Sequence, residues 1–292
     1  LPMANKQHAI FRSVKDNFIS PLIAAFKIEA INQDSTALVI KVNDIYDGTE
    51  TSINNVFTNI NLGTSAIKNL SRILSIKSFP NNVVATSELT TKVTEGTTSV
   101  YVTVEVSSSI LLLPEKPMTG RFDNQKVGYF TNPLLSFSDA QQGTDKKQYI
   151  TRWRMEPKPE DREAYLKGQT VEPIKPIVFY IDNSTPYQWR SYIKKGIEDW
   201  QTAFEKAGFK NAIIAKEITD SMHVDMDDVN YSVLTYAASE KKNAMGPSLL
   251  DPRSGEILEA DIMWWHNVLS MVREWITVQT GTVCPEARSV QL

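Results

Sequence analysis

The three histidines of the chain lack the spacing of a metal site. None of His8, His223 and His266 has a second histidine four residues away, the spacing that places two imidazoles on one face of a helix. His223 precedes three aspartates in residues 225–228, and acidic loops can bind calcium. The central glycine and terminal glutamate of a calcium loop are missing, so the residues favour a solvated acidic loop, with calcium as the alternative. His266 follows two tryptophans and is interpreted as a structural histidine.

Nucleophilic and phosphate chemistry also lack a signature. The sequence has no Gly-x-Ser-x-Gly and no Gly-x-Gly, and its one cysteine, Cys284, lies beside Pro285 without an activating context. Carboxylate pairs for glycoside chemistry stay open, because their separation is a spatial property. The residues alone therefore support neither nucleophilic nor phosphate chemistry.

Residues 246–262 are better suited to binding than to catalysis. They are interpreted as a loop, a turn at residues 251–255 and a strand from Glu256 to Ile262 that carries three acidic residues. Charges within a strand are typical of a sheet edge, whose unpaired main-chain groups can hold an extended peptide. On the residues alone, a protected edge that binds nothing is the favoured alternative.

The first half of the chain is β-rich. Residues 27–31 and 37–42 predict a hairpin around a polar turn, and the alternating Ser99–Val106 predicts a strand paired with a preceding strand over residues 83–91. Apolar residues at helical spacing between residues 67 and 74 predict one helix, which Pro80 ends. Residues 114–147 read as a long ordered loop with short strands.

The second half alternates strands with one long helix. Residues 177–181 predict a strand, and the apolar stripe from Thr185 to Ala207 predicts a helix with Thr185 and Gln188 as a capping box. Strands are predicted over residues 212–215 and 231–236. Proline-rich residues 156–176 mark the domain boundary, and Tyr149–Met155 before them read as another strand.

Composition narrows the class of protein. Hydrophobic residues make up 41% of the 292 and charged residues 22%, with a net charge of −3, which is ordinary for a globular protein and gives no nucleic-acid footprint. There is no apolar run of about 18 residues, so we expect no transmembrane segment. The first residues, starting at Leu1, do not resemble a signal peptide and suggest a piece of a longer protein.

Several long motifs closely resemble the bacterial met-zincin metallopeptidases, which have a large uncharacterised N-terminal region. The similarity covers most of the chain, so chance is a poor explanation. The similar stretches are Leu111–Met118, Val127–Phe130, Tyr149–Arg154, Pro176–Asp182, Gly196–Phe209, Gly246–Ser248, Asp251–Ile262 and Trp264–Asn267.

The resemblance implies an α+β fold in two parts. Residues 1–160 would form the β-rich family domain, incomplete upstream. Residues 170–292 would form the first half of a zincin-like domain, a twisted mixed sheet backed by the Thr185–Ala207 helix. The zinc helix of that family, His-Glu-x-x-His-x-x-Gly-x-x-His, is not in this sequence, so no ligand carries over.

Function follows from the same resemblance. The full-length protein would be a zinc-dependent peptidase, exported from the cytoplasm, whose zinc activates water for attack on a peptide carbonyl. This chain would be inactive alone and would bind a peptide or protein substrate through an edge strand. Its other expected contact is with a C-terminal part that carries the zinc ligands. The substrate-binding residues implied are Gly246, Ile257, Leu258, Glu259, Ala260 and Asp261.

Two alternatives remain. The chain could be a non-catalytic binding module of an exported protein, or a degenerate family member without a zinc helix anywhere in its gene. A zinc-binding motif after residue 292 would favour the enzyme, and the lack of one would favour the binding module.

Overall fold

The fold is of the α+β class, as predicted. The structure is a computed structural model that describes residues 2–51, 53–60, 62, 65–219, 221–281 and 283–284. It divides into a larger unit, Leu1–Asn5 with Leu113–Leu292, and a smaller unit, Lys6–Leu112. The boundary drawn from the sequence at residues 156–176 lies inside the larger unit, where hydrogen bonds tie residues 152–154 to residues 255–257.

The strands and helices are numbered here in chain order. The strands are β1 (Pro2–Ala4), β2 (Ile28–Ile31), β3 (Leu38–Ile40), β4 (Arg72–Ser78), β5 (Asn82–Glu95), β6 (Thr98–Leu111), β7 (Thr131–Phe137), β8 (Asp145–Ile150), β9 (Ile177–Ile181), β10 (Ile213–Glu217), β11 (Ser232–Ala237), β12 (Ala244–Met245), β13 (Ser248–Asp251), β14 (Glu256–Ala260) and β15 (Ile262–Trp265). The helices are α1 (Ile10–Asn17), α2 (Asn43–Tyr46), α3 (Val56–Asn59), α4 (Arg162–Leu166), α5 (Tyr187–Glu198), α6 (Gln201–Lys206) and α7 (Val268–Trp275). Short 3₁₀ turns lie at Lys68–Leu70 and Pro159–Asp161, and a π-helical turn follows α7 at Ile276–Thr280.

A five-stranded mixed sheet organises the larger unit. Its strand order is β10-β9-β11-β15-β12, with the first four strands parallel and β12 antiparallel to β15. Ile193 and Ile197 of α5 pack on the apolar face of this sheet against Ile177, Phe179 and Ile181. Two smaller sheets in this unit have the orders β1-β7-β8 and β13-β14.

The helix predicted over Thr185–Ala207 forms as α5 and α6 rather than as one helix. It breaks after α5 at a tightened turn, where the Trp200 N–H donates to the Ile197 carbonyl three residues back, at 3.4 Å. The predicted capping box is wrong, because Pro186 is the N-cap and no side chain caps the helix. The Thr185 carbonyl instead accepts the Arg190 Nε–H at 2.8 Å.

The smaller unit has a three-stranded antiparallel sheet with β5 between β4 and β6. β5 and β6 pair in one unbroken register from Asn82 opposite Leu111 to Glu95 opposite Thr98, which confirms the strand predicted over residues 99–106. Leu89 of β5 is 1% exposed and packs with Phe57 of α3 against Val104 and Val106. The hairpin predicted over residues 27–42 also forms, as β2 and β3.

The helix predicted between residues 67 and 80 is wrong. Only Lys68–Leu70 form a short 3₁₀ turn, and the following residues form β4. Two β-branched isoleucines, Ile73 and Ile76, favour a strand, and β5 offers main-chain partners that a helix would not use.

Candidate functional site

Among the described residues the five-stranded sheet ends at β10 on one side and at β12 on the other, and neither edge is the segment from Ile257 to Ile262. β12 has β15 on one flank and is the last strand of the sheet. Residues 244–249 are exposed, and Met245 has 49% of its surface accessible. The edge strand is therefore β12, which pairs with the strand that begins at Ile262, and not the predicted segment itself.

The predicted segment is held on both flanks. Ile257 to Ala260 belong to β14, which pairs with β13. On the opposite flank the Ile257 N–H donates to the Arg152 carbonyl at 2.9 Å, and the Ala260 N–H donates to Ser232 Oγ at 3.2 Å. The charged residues that suggested an edge are buried instead, since Glu256 is 7% and Glu259 8% exposed. The substrate-binding role of Ile257, Leu258, Glu259 and Ala260 stays a prediction, and on this flank the N–H groups of Ile257 and Ala260 are already used.

Gly246 and Asp261, two of the predicted site residues, do come together. The Asp261 N–H donates to the Pro247 carbonyl at 3.0 Å, and a Cβ added to Gly246 would lie 3.8 Å from the Asp261 carbonyl oxygen. The Ala244 N–H is satisfied by the Asn243 side chain at 2.8 Å, so it does not serve β15. Because main-chain groups alternate in direction along a strand, the N–H and C=O groups of Gly246 point away from β15, as those of Ala244 do.

Glu259 of β14 is buried, and Asp261, which lies two residues further on between β14 and β15, is half-buried. Asp261 Oδ1 accepts the Val233 N–H of β11 at 2.8 Å. Burial raises the pKa of Glu259 to about 8, and the hydrogen bond and negative charge of Asp261 add to the rise. Burial therefore favours the neutral form of the Glu259 carboxyl, and the hydrogen bond from Val233 to Asp261 secures the start of β15 against β11.

Arginine side chains hold the hairpin β13–β14 to the rest of the larger unit. Arg154 makes a bidentate pair with the buried Glu256, at 2.8 and 2.6 Å, and its NH2 also donates to the Lys116 carbonyl at 3.0 Å. Arg152 NH2 donates to the Thr119 carbonyl at 2.8 Å. Since the two arginines are alternate residues of one extended segment, their side chains lie on the same side and both donate hydrogen bonds to the loop of residues 114–119.

A third arginine acts from the turn between β13 and β14. Arg253 pairs with Asp251, which is fully buried, and donates to the Pro114 carbonyl at 2.6 Å. The hydrogen bond from Arg253 lowers the pKa of the Asp251 carboxyl below its ordinary value, against the opposing effect of burial. Gly255 completes the turn with φ +75°, and a Cβ there would lie 2.5 Å from the Ile150 carbonyl oxygen, so only glycine fits.

An apolar cavity opens on the sheet face beside α5. Its volume is about 650 Å³. Ile262 and Trp264 of β15, Leu234 of β11 and Trp189 of α5 line it, together with Trp153. The helix thus covers only part of the apolar face, and the strand next to β12 borders the uncovered part.

The histidines do not assemble a metal site. His266 is exposed, and its Nδ1 lies 2.8 Å from the Tyr236 hydroxyl, with which it shares a hydrogen bond. Within the ranges that the structure describes, no three His, Cys, Asp or Glu side chains are grouped so as to hold a metal ion. These residues therefore do not fit the zinc that the resemblance implies. Every helix in the same ranges is too short or too polar to cross a bilayer.

The family model of a domain of unknown function, DUF5117, matches residues 2–158, more than half of the chain. The chain belongs to the DUF5117 family. The matched region includes the whole smaller unit and, from the site, Arg152, Arg154 and the loop of residues 114–119, whereas β12 to β15 lie beyond it. No curated protein and no solved structure matches the chain.

Sequence reasoning missed β12 and the arginines. A two-residue strand gives no periodicity, so Ala244 and Met245 could not be recognised. The arginines left a signal in the alternation Arg152-Trp153-Arg154, where one side of the extended segment is cationic and the other aromatic. The same alternation places Trp153 in the core with Phe179 while both guanidinium groups reach the loop.

Proposed function

We propose that this chain is the substrate-binding part of a zinc-dependent peptidase, and that an extended peptide pairs with the outer flank of β12 and Gly246. The observation that carries the proposal is the edge strand β12, which is antiparallel to its one neighbour in the sheet. That neighbour, β15, is paired with β11 on its other side and so holds β12 in place. Free main-chain groups at such an edge bind an extended chain by adding a strand.

The location of the similar motifs supports the proposal. Three of the stretches that resemble met-zincins are distant in sequence, at residues 111–118, 149–154 and 251–262. They meet in the arginine network, through Lys116, Arg154 and Glu256. A network that joins these motifs would keep β13 and β14 in place and with them the start of the free edge.

The cavity supports the expected contact with a C-terminal part. The uncovered apolar face would accept an amphipathic helix packed beside α5, close to the edge that holds the peptide. The zinc ligands are assigned to that part, because the described residues here do not form a metal site.

Peptidase activity of the full-length gene product is the direct test. We expect cleavage of an unfolded protein such as reduced casein, loss of cleavage with a zinc chelator, and recovery when zinc is restored. Residues 1–292 alone are expected to be inactive under the same conditions. Zinc-dependent cleavage by residues 1–292 would contradict the assignment of the ligands to another segment.

Peptide binding separates the edge from the chemistry. A peptide bound by residues 1–292 should lose affinity when alternate amides are N-methylated in one parity and keep it in the other, since only one set of N–H groups faces β12. Binding without any cleavage by the full-length product would favour the non-catalytic binding module. Equal loss with both parities would rule out strand addition.

A further inference from the structure

The outer edge of β6 is long, regular and unguarded. The strand runs for 14 residues without a register shift, and its other flank is paired with β5 throughout. It contains no proline and no lysine or arginine, and Glu105 is its only charged residue. Natural proteins normally protect such edges with bulges, prolines or charges.

The opposite edge of the same sheet shows that protection. β4 carries Arg72 and Lys77, and its register with β5 shifts between Ile73 and Ser75. Arg72 also pairs with Glu88 at 2.7 Å. Among the described residues, this sheet therefore has one guarded edge and one edge open to pairing, independently of any function proposed for the larger unit.

The turn before β6 determines which of its groups are free. Gly96, with φ +60°, and Thr97 form a two-residue turn closed by Glu95 and Thr98. The closing pair of such a turn is hydrogen-bonded, and the pairs alternate from there. The main-chain N–H and C=O groups of the odd-numbered residues from Ser99 to Leu111 therefore point away from β5.

We propose that β6 pairs antiparallel with β6 of a second copy of this chain, about a two-fold axis at Val104. An antiparallel strand is complementary to itself, so one edge provides both halves of the interface. Axes at Val104 and at Glu105 both overlap nearly the whole strand. The axis at Glu105 would set two glutamates directly opposite each other, and like charges in that position are unfavourable.

The side chains agree with an axis at Val104. In that register Thr103 faces Glu105 of the second copy, and Val102 faces Val106. On the same face Val104 would meet Val104 of the second copy, while Val100, which is 52% exposed in the single chain, would face Ser108. The six odd-numbered pairs would exchange about twelve main-chain hydrogen bonds.

Charge substitutions at Thr103 test the register in the full chain. Thr103→Glu places two pairs of like charges across the axis, and we expect the dimer dissociation constant from analytical ultracentrifugation to rise about tenfold. Thr103→Lys is the matched control, because it loses the same hydroxyl contact with Thr90 but gains two opposite-charge pairs. It should dimerise at least as tightly as the native chain. A native chain that stays monomeric at about 100 µM would overturn the proposal. Equal effects of the Glu and Lys substitutions on the dimer dissociation constant would overturn it as well.

Disulfide trapping tests the same register without relying on affinity. In a Cys284→Ser background, Thr103→Cys mixed with Glu105→Cys should form a cross-linked heterodimer, because the two positions lie directly opposite. Each variant alone should cross-link much less, since its own positions are diagonal and beyond the usual Cα separation of a disulfide. Ser75→Cys on β4 is the control for random collision. Cross-linking no greater in the mixture than in the single variants would overturn the register.

Discussion

The outer edges of β12 and β6 present the same main-chain chemistry in two different forms. β12 is two residues long, begins beside the Asn243 side chain and leads into Gly246-Pro247. β6 offers 14 residues without interruption. A short edge bounded by a side-chain cap and a proline suits a ligand that must leave again, whereas a long regular edge suits a lasting partner. The comparison teaches that the length of an exposed strand edge, and the residues that end it, determine whether it suits a transient ligand or a lasting partner.

The comparison assumes that each edge strand is supported by the hydrophobic core of its own unit. Leu→Ala substitutions in those cores should therefore cause the largest loss of folding free energy. Leu89→Ala, behind β6, is expected to destabilise by about 4 kcal/mol, because Leu89 is enclosed by Phe57 and two valines. Leu234→Ala, in β11, should cost less, about 3 kcal/mol, because Leu234 already borders the cavity.

Urea denaturation separates the two effects, since all six tryptophans lie in the larger unit. Tryptophan fluorescence should report Leu234→Ala, and far-ultraviolet circular dichroism should report Leu89→Ala. Equal losses in both signals for both variants would mean that the edges share one cooperative core.

Removing Arg154 should affect the β12 side alone. Arg154→Met leaves the buried Glu256 carboxylate without its cation, which we expect to cost about 3 kcal/mol in the fluorescence transition. Peptide binding should fall with it, while dimerisation through β6 stays unchanged in ultracentrifugation. A change in dimerisation would show that the two edges are coupled.

The raised pKa of Glu259 makes the stability of the larger unit depend on pH. The folded state keeps a proton on Glu259 up to about pH 8, whereas an ordinary glutamate loses it near 4.5. The folded state binds more protons between these values, so its contribution to stability is complete below about 4.5 and is lost as pH rises to about 8. Glu259→Gln should flatten this decline in urea midpoints measured from pH 5 to 9. An unchanged slope would assign the decline to another group.

The smallest effect is expected at the guarded edge. Arg72→Thr removes an exposed pair with Glu88 and should leave the unfolding midpoint almost unchanged, because exposed ion pairs contribute little. Removing Arg72 and Lys77 together should begin to open β4 to pairing, visible as species larger than a dimer in ultracentrifugation. A lasting dimer would mean that the bulge between Ile73 and Ser75 protects that edge by itself.

The sequence allowed the β-rich first half, the strand at Ile177–Ile181 and the long helical region to be predicted, because each has a clear period. It misassigned residues 67–80, where apolar spacing fits a helix but pairing with β5 decides the outcome. It also took Glu256 and Glu259 as signs of an exposed edge. Both are buried, and Arg154, the ion-pair partner of Glu256, lies 102 residues away, so no local pattern could reveal that pairing.

The arginine network also bears on how fast each unit can fold. Arg253 reaches the Pro114 carbonyl across 139 residues, and the parallel strands of the same unit are joined by long crossovers. β5 and β6 are joined by a two-residue turn, so their pairing can start at the turn and extend residue by residue along both strands. Because distant contacts must await loop closure, the smaller unit should acquire its sheet early during synthesis, and the larger one late. A nascent chain would therefore expose the strand β6 to its neighbours on a polysome before the five-stranded sheet and its edge strand β12 exist.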